Sequence, residues 1–278
     1  MNVNLYMQPG DGPSRPSDNS SSVFDLPDIA LSEVDFLEYL FRRARELDAL
    51  EPIFPGMVFY NVPAYLMKNL WPEKLEQWKK DPELMGFAAN ESGWKGKLDN
   101  LQSRFNTFNR KVTLHKNFVM HGRYSIALCA AIDEQELNTS EVALCWISLQ
   151  DPEIELIKRD DPASTFAYAN QTFSHYRMEG QINLKKDDFK LIPASSYRRF
   201  GPVFMMREVT GLGAIALGLL AANGIQLEAR QYIQQAGTNR QNGRPRKEDL
   251  LLARQYISRL CQEVSSRHAL WDRMNSLP

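Results

Sequence analysis

The side chains in this sequence best placed to do chemistry on a ligand are cations set among aromatic rings. Residues 94–123, WKGKLDNLQSRFNTFNRKVTLHKNFVMHGR, carry Lys95, Lys97, Arg104, Arg110, Lys111, Lys116 and Arg123 against one acid, Asp99. Basic side chains neutralise phosphates and exposed rings stack on unpaired bases, so this mixture suits single-stranded nucleic acid. For a single basic run, the plainer reading of the same residues is an amphipathic helix with a solvated basic face and its aromatics in the core. Tyr197-Arg-Arg-Phe200 adds a side-by-side pair, Arg198 and Arg199, fitted to phosphate or carboxylate contacts or to a helix entry beside acids.

Gly243-Arg-Pro-Arg-Lys247 contributes Arg244, Arg246 and Lys247. It resembles the core of an AT-hook, and also the basic arm before the helix-turn-helix of invertase-type recombinases. The resemblance implies an extended Gly-Arg-Pro in a DNA minor groove, with the arginines reaching along its floor. It covers five residues and departs from the pattern at Asn242, where a basic flank is usual, and at Glu248-Asp249. Those acids suit the positive N-terminal end of a following helix. A second recognition helix would need chain beyond that helix, so a complete helix-turn-helix is not expected.

Other chemistries lack their residues. Cys129, Cys145 and Cys261 have no paired spacing, which argues against a disulfide framework and for a reducing, cytoplasmic setting or a particle assembled there. His115, His121, His175 and His268 make no metal-ligand spacing with them, and Asp160-Asp161 reads as a solvated turn. With no phosphate-cradling glycine loop, nucleophile elbow or histidine-centred triad, neither a cofactor nor a metal is expected. Net charge is −1, yet charge is segregated. Residues 1–60 hold ten acids and four bases, whereas 132–161 hold nine acids and two bases. Blocks of this size are compatible with separate basic and acidic faces, or with interleaving on folding.

The elements that would position these residues read mainly as helices. The sequence divides into an arm (1–22), a helical region (23–150), a loop-rich connector (151–200) and a C-terminal helical region (201–278). The arm is rich in Pro, Gly, Ser and Asn, a composition that predicts disorder. Ser32-Glu-Val-Asp35 is an N-cap signal for a helix with Phe36, Leu37, Leu40, Ala44 and Leu47 on one face. Leu98, Leu101, Phe105 and Phe108 fall on one helical face. Tyr124–Ile132 and Glu141–Leu149 are apolar runs that suit strands or buried helices, and Asn138-Thr-Ser140 as an N-cap favours a helix pair. Met178–Leu184 and Phe189–Ile192 read as a short hairpin and strand.

Val203–Leu227 is the centre of this plan. Residues 209–227 carry no charge and are apolar all round, as in a buried helix. Thr210, Ala214, Gly218 and Ala222 form a stripe of small side chains, and Gly224 is suited to cap the end. The stretch just reaches the length of a membrane span, but its glycines, Asn223 and Gln226 favour a core helix. A last helix, 248–274, has Leu250, Ala253, Ile257, Leu260, Val264 and Trp271 at 3–4 spacing. The fold expected is mainly α, with a small middle hairpin making it α+β as the alternative. The function expected is a non-enzymatic, self-assembling nucleic-acid-binding protein of nucleocapsid, coat or phage type, linking copies through its arm and last helix. A protein–protein adaptor is the first alternative and an enzyme with an unrecognised site the second.

Overall fold

Ser32 starts the helical part of the protein as its position predicts. Its backbone is extended and its side chain accepts the Asp35 amide at 3.2 Å, capping α1, Glu33–Leu47. Phe36, Leu37, Leu40 and Ala44 are buried along one face, while Leu47 is 40% exposed. This computed structural model describes residues 27–275, except 51, 83–84, 95–96, 120–122, 134–135, 159–164, 169–170, 175, 226 and 244–245. The arm expected at 1–22 lies outside the described residues.

The segment after α1 runs as α2, Phe54–Phe59, a π-helical turn, Tyr60–Ala64, and α3, Tyr65–Leu70. Pro63 explains the widened turn, because its nitrogen has no hydrogen to give to the α-helical ladder. A second proline, Pro72, opens α4, Pro72–Trp78, where a missing N–H costs nothing.

Residues 85–193 are where the mainly helical expectation fails. They form β1 (Met85–Ala88), β2 (Arg104–Asn106), β3 (Lys111–Val119), β4 (Tyr124–Asp133), β5 (Glu136–Ser148), β6 (Ile154–Lys158), β9 (Tyr176–Asn183) and β10 (Phe189–Pro193). These make one eight-stranded mixed sheet in the order β10-β5-β4-β2-β3-β9-β6, with β1 also on β4. A separate hairpin pairs β7 (Thr165–Tyr168) with β8 (Gln171–Ser174). β4 runs parallel to β1 and β2 and antiparallel to β5.

The two apolar runs are therefore β4 and most of β5, paired with Ala127 opposite Cys145 and Leu128 opposite Leu144. They look continuous rather than alternating because both faces of the sheet are covered. Ile126, Leu128 and Val142 pack under the helices, whereas Ala127, Cys129 and Cys145 pack on the opposite face. The apparent N-cap at Asn138 is a local bond within β5: Asn138 Oδ1 accepts the amides of Ser140 and Glu141 at 3.0 and 3.2 Å. The strands foreseen at 178–184 and 189–192 exist but do not pair with each other. β9 lies between β3 and β6, and β10 edges β5.

The chain then enters α5, Ala194–Ala222, so a boundary drawn at 200/201 falls inside a helix. α6 (Ala229–Gln241) and α7 (Lys247–Asn275) follow. The most apolar 18-residue window of α5 has mean hydropathy 1.6, enough to cross a membrane by length and composition, and 67% of it is buried within the protein. α1, α6 and α7 cover it, with Ala214, Ile215, Leu217 and Leu219 in a core shared with Phe36, Leu40, Tyr232 and Ala253. Gly224 ends α5 at φ 79°, in the left-handed region, and the Ile225 amide returns to the Leu220 carbonyl at 3.0 Å. The small stripe has its expected use. A Cβ on Gly218 would stand 2.3 Å from the Phe41 carbonyl oxygen and 2.7 Å from Ala44 Cβ. Gly218→Leu should therefore destabilise the fold by at least the usual overpacking cost of about 1–3 kcal/mol, read as a lower urea midpoint. An unchanged midpoint would mean that α1 and α5 do not meet there.

Candidate active site

The cations singled out from the sequence do not converge. Among the described residues, 94–123 form no α-helix, only a 3-10 turn at Leu98–Asn100: Arg104 lies on β2, Lys111 and Lys116 on β3, and Arg110 at φ 59° in the turn between them. Asn106 Oδ1 shapes that turn by accepting the amides of Phe108 and Asn109, both at 3.0 Å. Leu98, Leu101 and Phe105 are buried, but Phe108 is 82% exposed. Lys97, Arg110 and Lys111 are exposed, and Arg104 is half-buried with Nη1 to the Ser103 carbonyl. Arg123 borders a cavity of about 480 Å³ with Lys74 and Trp146, and Arg198 borders another. Lys95, Arg244 and the Arg199 side chain lie outside the described residues. Arg246, in the link from α6 to α7, and Lys247, the first residue of α7, are exposed, and the Arg246 amide donates to Asp249 Oδ2 at 2.9 Å.

Lys116 departs most from a phosphate-binding role. Its side chain is fully buried, its Nζ pairs with Glu91 Oε1 and donates to the Leu128 carbonyl, and no phosphate can reach it. Glu91 in turn accepts the amides of Gln102 and Ser103. This pair anchors the loop from Ala89 to Trp94 against the sheet, helped by the Asn117 amide on the Asn90 carbonyl at 2.8 Å and Gln102 Nε2 on the Ser92 carbonyl at 3.2 Å.

The anchored loop and the start of α5 enclose a cavity of about 520 Å³, within the roughly 300–1,000 Å³ usual for ligand sites. β1 supplies Phe87, the loop supplies Asn90 and Trp94, and α5 supplies Tyr197, Phe204 and Glu208. Trp94 Nε1 is buried and has no hydrogen-bond partner among the described residues. Such a donor costs about 1–3 kcal/mol to leave unmet, and the Trp94 side chain forms part of the cavity wall. Burial alone pushes the Glu208 carboxyl up to about 7. Burial also raises the Tyr197 phenol. The site thus holds one unmet donor and one carboxyl that gains or loses its proton near neutral pH, between aromatic walls.

Sequence reasoning identified Arg198 here and missed Asn90, Trp94 and Glu208. The signal for Glu208 was present: it directly precedes the uncharged stretch 209–227, so the helix that buries that stretch carries this acid inward with it. Trp94 gave no signal, since an indole on a loop reads as ordinary core.

No protein-family model matches the sequence, and no curated protein is detectably similar to it. Solved structures do resemble the fold. Butyryl-CoA dehydrogenase from Megasphaera elsdenii superposes with a TM-score of 0.55 at 12% identity, over 88% of this chain and 88% of that one. PigA with FAD and proline gives 0.59 at 12%, over 83% and 69%, and FMN-bound TdsC from Paenibacillus sp. A11-2 gives 0.52 at 11%, over 85% and 72%. At such identities the likeness is one of fold.

That likeness, with the sheet, overturns the reading of a mainly helical, non-enzymatic nucleic-acid-binding protein of viral or phage type. The cations it relied on are buried, dispersed or structural. The apolar face of α7 is also not free to join copies, because Leu252, Ala253, Tyr256, Leu260 and Val264 pack into the core around α5. Lys116→Met should cost about 3–5 kcal/mol of stability by stranding the Glu91 carboxylate in the interior. A loss below about 1 kcal/mol, the scale of an exposed pair, would contradict this burial.

Proposed function

We propose that this chain is an enzyme, a flavin-dependent oxidoreductase, with its reaction centre in the cavity between the 89–94 loop and α5. The observation that carries this reading is the unmet Trp94 N–H beside the near-neutral Glu208 in an aromatic cavity. The fold is shared with a CoA-substrate dehydrogenase and with FAD- and FMN-bound proteins, which supports it. An isoalloxazine is flat and carries nitrogen and carbonyl acceptors along one edge. Phe87, Trp94, Tyr197 and Phe204 offer walls to such a ring, Trp94 Nε1 offers a donor to its acceptor edge, and Arg198 brings positive charge for phosphate. The residues present fit the group.

When bound, the flavin supplies two-electron oxidation of a carbon substrate. The protein's own side chains do the rest. The aromatic walls keep water from the reacting atoms, and their apolar surface suits an acyl chain. Oxidation of a C–H bond leaves a proton on the neighbouring atom, and the Glu208 carboxylate is the group that takes it. A pKa of about 7 makes that transfer efficient near neutral pH. The free cysteines Cys129, Cys145 and Cys261 fit a cytoplasmic setting for this chemistry.

Titration of the purified chain with FAD and with FMN tests the assignment by quenching of flavin fluorescence. Saturable uptake of one of them is expected, weakened about 2–10-fold in Trp94→Phe by loss of one hydrogen bond. A folded protein that takes up neither flavin would remove the proposal.

Glu208 gives a separate, cofactor-free check. Its carboxyl binds protons more tightly folded than unfolded, from the ordinary 4.5 to about 7. Its contribution to stability is therefore full below about pH 4.5 and is lost as pH rises through 7. Glu208→Gln should match the parent's melting temperature near pH 5 and exceed it at pH 8. Equal melting temperatures at pH 8 would show that Glu208 is solvated.

A further inference from the structure

A different cavity, of about 890 Å³, opens between the start of α1 and helices α3, α5 and α6. Its inner wall is Arg207, 6% exposed, and Arg240, 2% exposed. One acid serves both. Glu33 Oε1 meets Arg207 Nη1 at 2.7 Å, and Glu33 Oε2 meets Arg240 Nε at 2.8 Å. The other bonds of Arg240 go to neutral acceptors: the Arg207 carbonyl at 2.7 Å, Thr210 Oγ1 at 2.9 Å and Asn61 Oδ1 at 2.7 Å. Arg207 Nε donates to the Asn61 carbonyl at 3.2 Å, and its Nη2 meets no acceptor among the described residues.

The titratable groups facing this cavity are Glu33 from α1, Tyr60 from the π-helical turn, Tyr65 and Lys68 from α3, Arg207 from α5 and Arg240 from α6. Asp28 acts on Tyr60 from beyond the rim. Among the described residues the lining thus sets three cations against one acid, with the positive end of α1 added. Burial works to raise the Glu33 carboxyl, yet Arg240 and Arg207 hold it below its usual range, so its negative charge is already fully used. A guanidinium cannot shed its proton, and a buried cation without a counter-charge is costly. We propose that this cavity is an oxyanion-binding site, taking a carboxylate or phosphate group whose charge completes the balance that Glu33 leaves open. Arg207 Nη2 and the Lys68 ammonium are the donors that reach it. The volume exceeds that of a bare ion, and Tyr60, Tyr65 and Leu75 give the ligand's organic body an apolar wall.

This site stands apart from the flavin reading, and its test does too. Isothermal titration of the full chain would use inorganic phosphate and succinate, each against chloride at matched ionic strength. Saturable binding of at least one is expected, phosphate alone marking a phosphate-bearing ligand and succinate alone a carboxylate. Lys68 is exposed and outside the core, so its variants keep the fold. Lys68→Ala should weaken binding about five-fold and Lys68→Glu should abolish it, with flavin uptake and melting temperature of the free protein unchanged. Binding of neither anion beyond the chloride control, or equal binding by Lys68→Glu, would overturn the proposal.

Discussion

A buried ion network of Glu33, Arg207 and Arg240 fixes how the helical half of this protein fits together. It joins α1, α5 and α6 to the π-helical turn through Asn61, which accepts from both arginines and donates back to the Arg207 carbonyl at 3.3 Å. Removing one member would strand a charge in the interior, so the network holds as a unit. Arg240 also lies 5.4 Å from the Phe36 ring, which itself stacks on Tyr60 at 3.7 Å. Helix α1 therefore has one rotation on α5, and the close approach at Gly218 has one register.

The network also aims the candidate active site. Successive residues of an α-helix are about 100° apart around its axis. With Arg207 turned into the network, Glu208 turns towards the sheet and the 89–94 loop. That loop depends on a second buried pair, Lys116 with Glu91, which ties it to β3 and β4. One ion network orients the acid and another holds the loop opposite it. The cavity between them is a product of both.

The helical half was legible because its signals are local. The Ser32 cap, the face carrying Phe36, Leu37, Leu40 and Ala44, the uncharged core helix and the Gly224 terminus all follow from residues a turn or two apart. The sheet was not legible. β4 is buried on both faces, so Tyr124–Ile132 lost the period-two alternation that marks a strand, and Asn138 supplied a bond that imitates a helix cap. β4 also pairs with β1, distant in sequence, and no local pattern announces that partnership. Charge misled most. Lys116 read as a solvated cation, although its partner Glu91 lies 25 residues earlier and the pair is fully buried. The candidate site shares this difficulty, being assembled from a strand, a loop and a helix that meet only in the folded chain.

Arg207 and Glu208 are adjacent in sequence, opposite in charge, and do not pair. Each meets burial in the way its chemistry allows. A carboxyl can take up a proton, and Glu208, whose shift comes from desolvation alone, does so near neutral pH. The guanidinium of Arg207 has no such route and must be answered by negative charge. Glu33 answers part of it while being shared with Arg240. The same helix thus presents a proton-exchanging acid to one cavity and surplus positive charge to another. α5 separates the two, Glu208 lining one cavity and Arg207 the other.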